Sequence, residues 1–162
     1  MRILLPALLA LTLIACRPAA TTPNTAAAGS AAGYNTLEEI TKAVQTACQT
    51  RHAEALTAMS QTQGEPPELT AAIKPMLKAM LGNTNVSVSE VKTVEFANYE
   101  TDREMPGEFN EKPLEYLVPP SHWILVTMAS PEGKQPKINL KLTLPTAKID
   151  GKWMLVGARY KK

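Results

Sequence analysis

Few side chains in this 162-residue sequence have the types and spacing that catalysis or metal binding requires. Asp102 and His122 are the candidates for a general base, a role that needs a pKa shifted by burial and by neighbouring groups. His52 lies in a predicted helix, and neither histidine has a second histidine or a carboxylate at metal-ligand spacing. The sequence therefore predicts no catalytic constellation, no metal site and no cofactor, which leaves the thiols of Cys16 and Cys48 to be explained.

Cys16 closes an N-terminal segment that carries one positive charge, Arg2, and an apolar run from Ile3 to Ile14. The run is shorter than the roughly 20 apolar residues that a membrane-spanning helix needs, and Arg17 follows the cysteine directly. These features are typical of a targeting segment rather than of a structural helix.

The residues Leu-Ile-Ala-Cys at 13–16 resemble the lipobox of bacterial lipoproteins. The resemblance implies that residues 1–15 are a signal peptide, that the thiol is acylated, and that Cys16 becomes the first mature residue and the membrane anchor. Arg17 in place of an aspartate resembles the pattern that permits sorting to the outer membrane, which implies a protein that faces the periplasm. The alternative is an ordinary secretory signal with an incidental cysteine.

A predicted tether, residues 16–35, joins the anchor to a single domain at residues 36–162. The tether consists almost entirely of small and polar residues and proline, so it cannot bury enough apolar surface to become ordered. As a flexible coil it spans about 25 Å. Because Cys16 carries lipid, Cys48 has no disulfide partner, and its place on the apolar stripe of a helix predicts a buried, unreactive thiol.

The charge of the chain restricts the class of partner. Without residues 1–15 the sequence has 16 basic and 15 acidic residues, and a near-neutral balance argues against nucleic-acid binding. Acidic residues dominate positions 90–115, whereas basic residues dominate positions 134–162. The two groups either pair across neighbouring strands or form opposite poles that steer a charged partner.

Two helices open the domain. Thr36 and Glu39 have the spacing of a capping box, and an apolar stripe at helical spacing predicts a first helix that continues to about Ser60. A second helical pattern ends at Gly82, and Pro75 either kinks this helix or marks its true start.

After Gly82 the apolar period changes to two, which predicts strands at about 86–96, 123–129, 138–144 and 153–156. The first strand has an irregularity near Glu90, and Asp150-Gly151 predicts a tight turn before the last strand. A short strand at 114–118 is expected to pair with the strand that begins at Trp123; otherwise residues 99–121 form a long loop. Helices followed by strands predict an α+β fold, with N-terminal helices packed on one face of a curled antiparallel sheet of about four to five strands.

This layout, with its final hairpin from Ile149 to Gly157, resembles the nuclear-transport-factor-2-like, or cystatin-like, fold of small bacterial lipoproteins. The resemblance implies a conical pocket between helices and sheet, and a homodimer formed through the open face of the sheet. Enzymes of that superfamily place an aspartate, alone or with a histidine, inside the cone. Asp102 lies in the acidic loop and Asp150 in the hairpin turn, so neither matches that pattern well.

Aromatic residues of the predicted sheet either pack a core or line a pocket with a few polar groups at its mouth. Trp123 and Trp153 are expected to lie near each other. Together with Phe96, Tyr116 and His122 they are the candidate pocket or interaction residues.

The expected function is a non-enzymatic binding or protein-interaction module. We expect lipid on Cys16 to anchor it and a protein of the cell envelope to bind it. A homodimer is a further candidate for its assembly state. The alternatives are a carrier of a small apolar ligand, or an isomerase or dehydratase that uses Asp102 or His122 as its base.

Overall fold

The computed structural model describes residues 33–99 and 106–162, so Cys16, most of the predicted tether and Asp102 lie outside the described residues. The described part has the predicted α+β fold, with its helices on one face of the sheet. The helices are α1 (Leu37–Gln49), α2 (Ala53–Ala58) and α3 (Pro67–Leu81). The strands are β1 (Ser60–Gln61), β2 (Ser87–Glu95), β3 (Glu108–Phe109), β4 (Lys112–Tyr116), β5 (His122–Ala129), β6 (Asn139–Ile149), β7 (Lys152–Val156) and β8 (Ala158–Tyr160). No helix in these residues is both long and apolar enough to cross a membrane.

The main sheet has five strands in the order β1-β7-β6-β5-β2. All of its neighbours are antiparallel except β1, which pairs in parallel with β7. The predicted irregularity near Glu90 is confirmed as a bulge between Val88 and Glu90. The predicted turn is confirmed as well, because Asp150 and Gly151 both have positive φ, at 49° and 80°.

A second, smaller sheet has the order β3-β4-β8. The predicted pairing of the 114–118 segment with the strand at Trp123 is wrong, because β4 pairs with β3 and β8 instead. Its contact with β5 is made by side chains, through the rings of Tyr116 and Trp123.

The helix-facing side of the main sheet forms the principal core. Ile124, Val126 and Met128 of β5 pack against an α1 stripe that includes Ile40 and Val44. Each of these five side chains is at most 3% exposed. At about 1.5–3 kcal/mol for each large aliphatic side chain removed from water, this interface is the main source of stability.

The opposite side of the main sheet is buried too. Because strand side chains alternate between faces, Trp123 and Leu125 of β5 point away from the helices, and so do Met154 and Val156 of β7. All four are buried. The sheet therefore separates two apolar layers.

The prediction of one long first helix through Ser60 is wrong. The segment forms two helices, α1 and α2, with a break at Arg51. The amide of His52 donates to the carbonyl of Ala47 at 2.8 Å, and that of Arg51 donates to Cys48 at 3.3 Å. This is the Schellman pattern, with Arg51 at the left-handed position (φ 59°) that usually holds glycine. The predicted capping box at the start of α1 is confirmed.

The Arg51 side chain explains why a non-glycine residue is retained there. Its guanidinium donates to three backbone carbonyls: Leu81 at 3.0 Å, Asn83 at 2.6 Å and Val86 at 3.1 Å. These bonds join the end of α1 to the end of α3 and to the start of β2. The second predicted helix corresponds to α3. It begins before Pro75 and runs through it, with Pro67 in its first turn.

Two substitutions at Arg51 separate its backbone role from its side-chain role. Arg51→Ala keeps the strained φ but loses the three guanidinium bonds, so we expect unfolding free energy to fall by about 2 kcal/mol. Arg51→Gly loses the same bonds but relieves the left-handed strain, so it is expected to be about 1 kcal/mol more stable than Arg51→Ala. Urea denaturation of the full chain measures both, and equal stability of the two variants would contradict this account.

Candidate functional site

Three of the predicted site residues meet on the side of the sheet away from the helices. The ring of Trp123 stacks on Phe96, with centroids 5.0 Å apart and an angle of 20°, and the edge contact to Tyr116 is at 6.1 Å. Tyr99 joins this aromatic cluster at 5.8 Å from Trp123. Because Trp123 is only 1% exposed, it is a packing residue and offers no surface to a ligand.

The hydroxyl of Tyr116 is an exception to the apolar character of the aromatic cluster. Its oxygen is buried and has no hydrogen-bond partner among the described residues. Burial raises the pKa of Tyr116 to about 12, since the phenolate has little access to water. At the edge of the cluster, the Lys141 ammonium lies 4.8 Å from the ring centroid of Tyr99.

The other two predicted site residues, His122 and Trp153, lie on the opposite face of the sheet. Their rings make an edge contact with centroids 5.4 Å apart. The predicted proximity of Trp123 and Trp153 is therefore wrong. Strand pairing aligns Trp123 with Pro145 but Trp153 with Lys148, and residues 145 and 148 of β6 face opposite sides.

His122 has a polar neighbour as well as the ring of Trp153. It lies half-buried at the start of β5, with Nδ1 3.1 Å from the hydroxyl oxygen of Ser121. It lines neither of the two cavities described below. Among the residues that the structure describes, no three His, Cys, Asp or Glu side chains form a group that could hold a metal ion.

The space between helices and sheet is largely filled. A cavity of about 140 Å³ remains where α1, α3 and β2 meet, and its lining includes Cys48, Arg51, Leu81 and Met128. Ligand pockets usually exceed about 300 Å³, so this cavity has less room than a carrier needs. The prediction for Cys48 is confirmed: its thiol is free and buried, and burial raises its pKa to about 11.

A larger concave surface, of about 560 Å³, lies outside the core between α1 and Thr93 of β2. We call it the α1–β2 groove, and it is lined by Leu37, Glu38, Thr41, Lys42, Gln45 and Thr93. The hydroxyls of Thr41 and Thr93 hydrogen-bond each other at 3.1 Å and join its two walls. The groove thus combines an apolar leucine, hydroxyl groups and both signs of charge.

Strand β2 borders this groove and is an edge of the main sheet, with nine residues and only one strand neighbour in the described part of the chain. The other edge is largely closed. Tyr34 exchanges two backbone hydrogen bonds with Trp153 of β7, and the amide of Leu155 donates to the carbonyl of Met59 at 3.0 Å. The sequence pattern does not reveal this surface, because alternation identifies a strand without showing which strand ends the sheet.

The charges are arranged partly as cross-strand pairs. Glu115 of β4 lies opposite Arg159 of β8, and their side chains form an ion pair at 2.8 Å. This pair supports the first interpretation of the charge pattern, in which neighbouring strands match opposite signs. On β2, Lys92 and Glu90 form a looser pair at 3.8 Å, with more than half of each side chain exposed.

Comparison of this chain with protein-family models, with curated proteins and with solved structures finds no match. Functional inference therefore depends on the sequence of the chain and on the geometry of its described residues.

Replacing Tyr116 with phenylalanine tests the buried hydroxyl. The raised pKa means that the folded state keeps the phenolic proton after the unfolded state has lost it. The contribution of this proton to the free energy of unfolding is fully present below about pH 10 and is lost as pH rises toward about 12. We expect Tyr116→Phe to be at least as stable as the original chain at pH 7, and to lose less stability between pH 9 and about 11.5.

The measurement is urea denaturation of both chains across that pH range, in which lysine titration is common to both. Parallel loss of stability in the two chains would contradict the assignment.

Proposed function

We propose that this protein is a lipid-anchored, non-enzymatic protein-interaction module of the cell envelope, and that the α1–β2 groove is its binding surface. The observation that carries the proposal is the edge of β2, which has no second strand partner in the part of the chain that the structure describes and lies beside a groove of about 560 Å³. An open strand edge presents unpaired backbone N–H and C=O groups, which another chain can use to extend the sheet.

The composition of the groove suits a protein partner. Leu37 and the Thr41–Thr93 pair offer apolar and hydroxyl contacts, whereas Glu38 and Lys42 supply one charge of each sign. Added strands gain affinity from backbone hydrogen bonds and specificity from such side-chain contacts. The filled core supports this proposal over a small-molecule carrier, since the interior cavity measures only about 140 Å³.

The proposed anchor is the acylated thiol of Cys16, which would hold the domain at the membrane, with the outer membrane facing the periplasm as the proposed location. Buried acyl carbons contribute about 0.8 kcal/mol per methylene, so more than one chain makes attachment stable. Surface attachment also raises the effective concentration of the domain near other envelope proteins.

The two cysteines provide a matched test of the anchor. Metabolic labelling with a palmitate analogue is expected to label the original chain and Cys48→Ser equally, and to leave Cys16→Ser unlabelled. Cys16→Ser is also expected to leave the membrane fraction or to accumulate uncleaved. Equal labelling of Cys16→Ser and the original chain, or no labelling of either, would exclude the lipid anchor.

Site-specific photo-crosslinking tests the binding surface. A photoreactive phenylalanine analogue replaces Lys42 in the groove or, as the control, Lys74, an exposed lysine of α3 that does not line the groove. In intact cells that express the full chain, we expect one discrete product from position 42, of the mass of this chain joined to one protein. Position 74 is expected to give none. No discrete product at 42, or the same product at both positions, would refute the proposed surface.

A further inference from the structure

The charge order on β2 identifies a partner for its open edge. Pairing with β5 places Glu90 opposite Thr127 and Lys92 opposite Leu125, so both charged side chains point to the face away from the helices. Val91 lies between them and pairs with Val126, on the helix-facing side. The sequence Glu-Val-Lys therefore presents two opposite charges placed symmetrically about one valine.

When two copies of β2 pair in register, the charges of one copy oppose those of the other only if the strands are antiparallel. If a second β2 strand lies antiparallel, with a two-fold axis through Val91, then Glu90 of each copy faces Lys92 of the other. A parallel, in-register copy would instead place like charges side by side. Opposite charges on directly opposed residues stabilise an antiparallel pair, whereas like charges destabilise it.

We propose that the occupant of the β2 edge is a second copy of this chain, paired antiparallel about Val91. The result is an isologous dimer, in which the same surface of both copies forms the interface. The two five-stranded sheets join into one continuous sheet of ten strands. The proposal rests on the proposed function, since it names the protein that binds at the α1–β2 groove.

The groove gives the added strand a place to lie. In the dimer, the helix-facing side chains of the partner's β2, which include the partner's Val91, extend beyond the edge toward the flank of α1. That flank carries Leu37, Thr41 and Gln45. The half-buried Val91 thereby gains an apolar neighbour across the two-fold axis that it lacks in the single chain.

The same charges explain why the edge is selective. Exposed charges and bulges on edge strands oppose indiscriminate pairing with other chains. Here the bulge occupies the Val88–Glu90 step, and the Ser89 hydroxyl donates to the carbonyl of Thr127 within the chain at 3.1 Å. Glu90 and Lys92 already form a loose ion pair within the strand at 3.8 Å. A second copy adds an opposite charge across the interface for each of them, whereas a strand without charges at those positions adds none.

Charge exchange tests the register. Full-length lipidated protein, purified in a density-matched detergent, is analysed by sedimentation equilibrium. We expect the original chain to be a dimer, and Glu90→Lys and Lys92→Glu each to weaken dimerisation by roughly ten-fold or more, because two attractive pairs become repulsive. The double variant E90K/K92E restores opposite charges at both positions and is expected to recover the dimer.

Glu132→Lys is the control, because it makes the same charge change in the exposed turn between β5 and β6. It is expected to leave dimerisation unchanged. A monomeric original chain overturns the proposal, and so does a dimer that responds equally to Glu90→Lys and Glu132→Lys, or a double variant no better than the single ones. Urea denaturation of each variant identifies any that has lost its fold.

Mixed disulfides provide a second readout that does not depend on affinity. Two differently tagged chains, one with Glu90→Cys and the other with Lys92→Cys, are co-expressed and oxidised. We expect the disulfide between the two variants to exceed either same-variant disulfide several-fold, because only unlike positions are directly opposed. Equal yields of all three, or no disulfide, would overturn the register.

These outcomes separate the two proposals. A monomer whose position 42 still crosslinks to a different envelope protein would refute the dimer and leave the proposed function intact. The absence of a discrete crosslink at position 42 would refute the proposed function as well.

Discussion

The burial of β5 on both faces is the constraint on which the rest of this structure depends. Four consecutive residues, Trp123 to Val126, are each at most 1% exposed. Because neighbouring side chains in a strand point to opposite faces, such a run is stable only if both faces of the sheet are covered. The helices cover one face, and the aromatic residues Phe96, Tyr99 and Tyr116 cover Trp123 on the other.

Covering both faces leaves little space inside the described part of the domain. Side chains of α1 and β5 occupy most of the interior, where a cavity of about 140 Å³ remains, and the aromatic residues that could have lined a pocket are used in packing. The two edges of the main sheet differ. Tyr34 and the chain around Met59 cover β7 on one side, whereas β2, beside the α1–β2 groove, has no second strand neighbour among residues 33–99 and 106–162. The proposed binding surface lies at this edge of the sheet.

Local signals predicted local structure correctly. The Thr36–Glu39 capping box, the Asp150-Gly151 turn and the irregularity near Glu90 each depend on a few neighbouring residues, and each is present. The division of the first helix was missed because its cause is distant. Arg51 ends α1 in a conformation that usually requires glycine. Its guanidinium donates hydrogen bonds to carbonyls that lie 30 to 35 positions further along the chain. The predicted site residues come together only in part, since Phe96, Tyr116 and Trp123 meet while Trp153 does not join them, and none of them lines the α1–β2 groove.

The α+β class, the approximate strands and helix caps, and the buried, free Cys48 follow from the sequence alone, because periodicity, capping and composition are properties of short segments. The lipid anchor at Cys16 is a prediction from sequence alone. Packing between distant segments sets the face that each tryptophan occupies, the strands that pair with β4, and the place of β2 at an edge of the described sheet. A shift of one residue between β5 and β6 would place Trp123 on the face of Trp153. Such choices depend on the packing of segments far apart in the chain, and no short stretch of sequence contains that information.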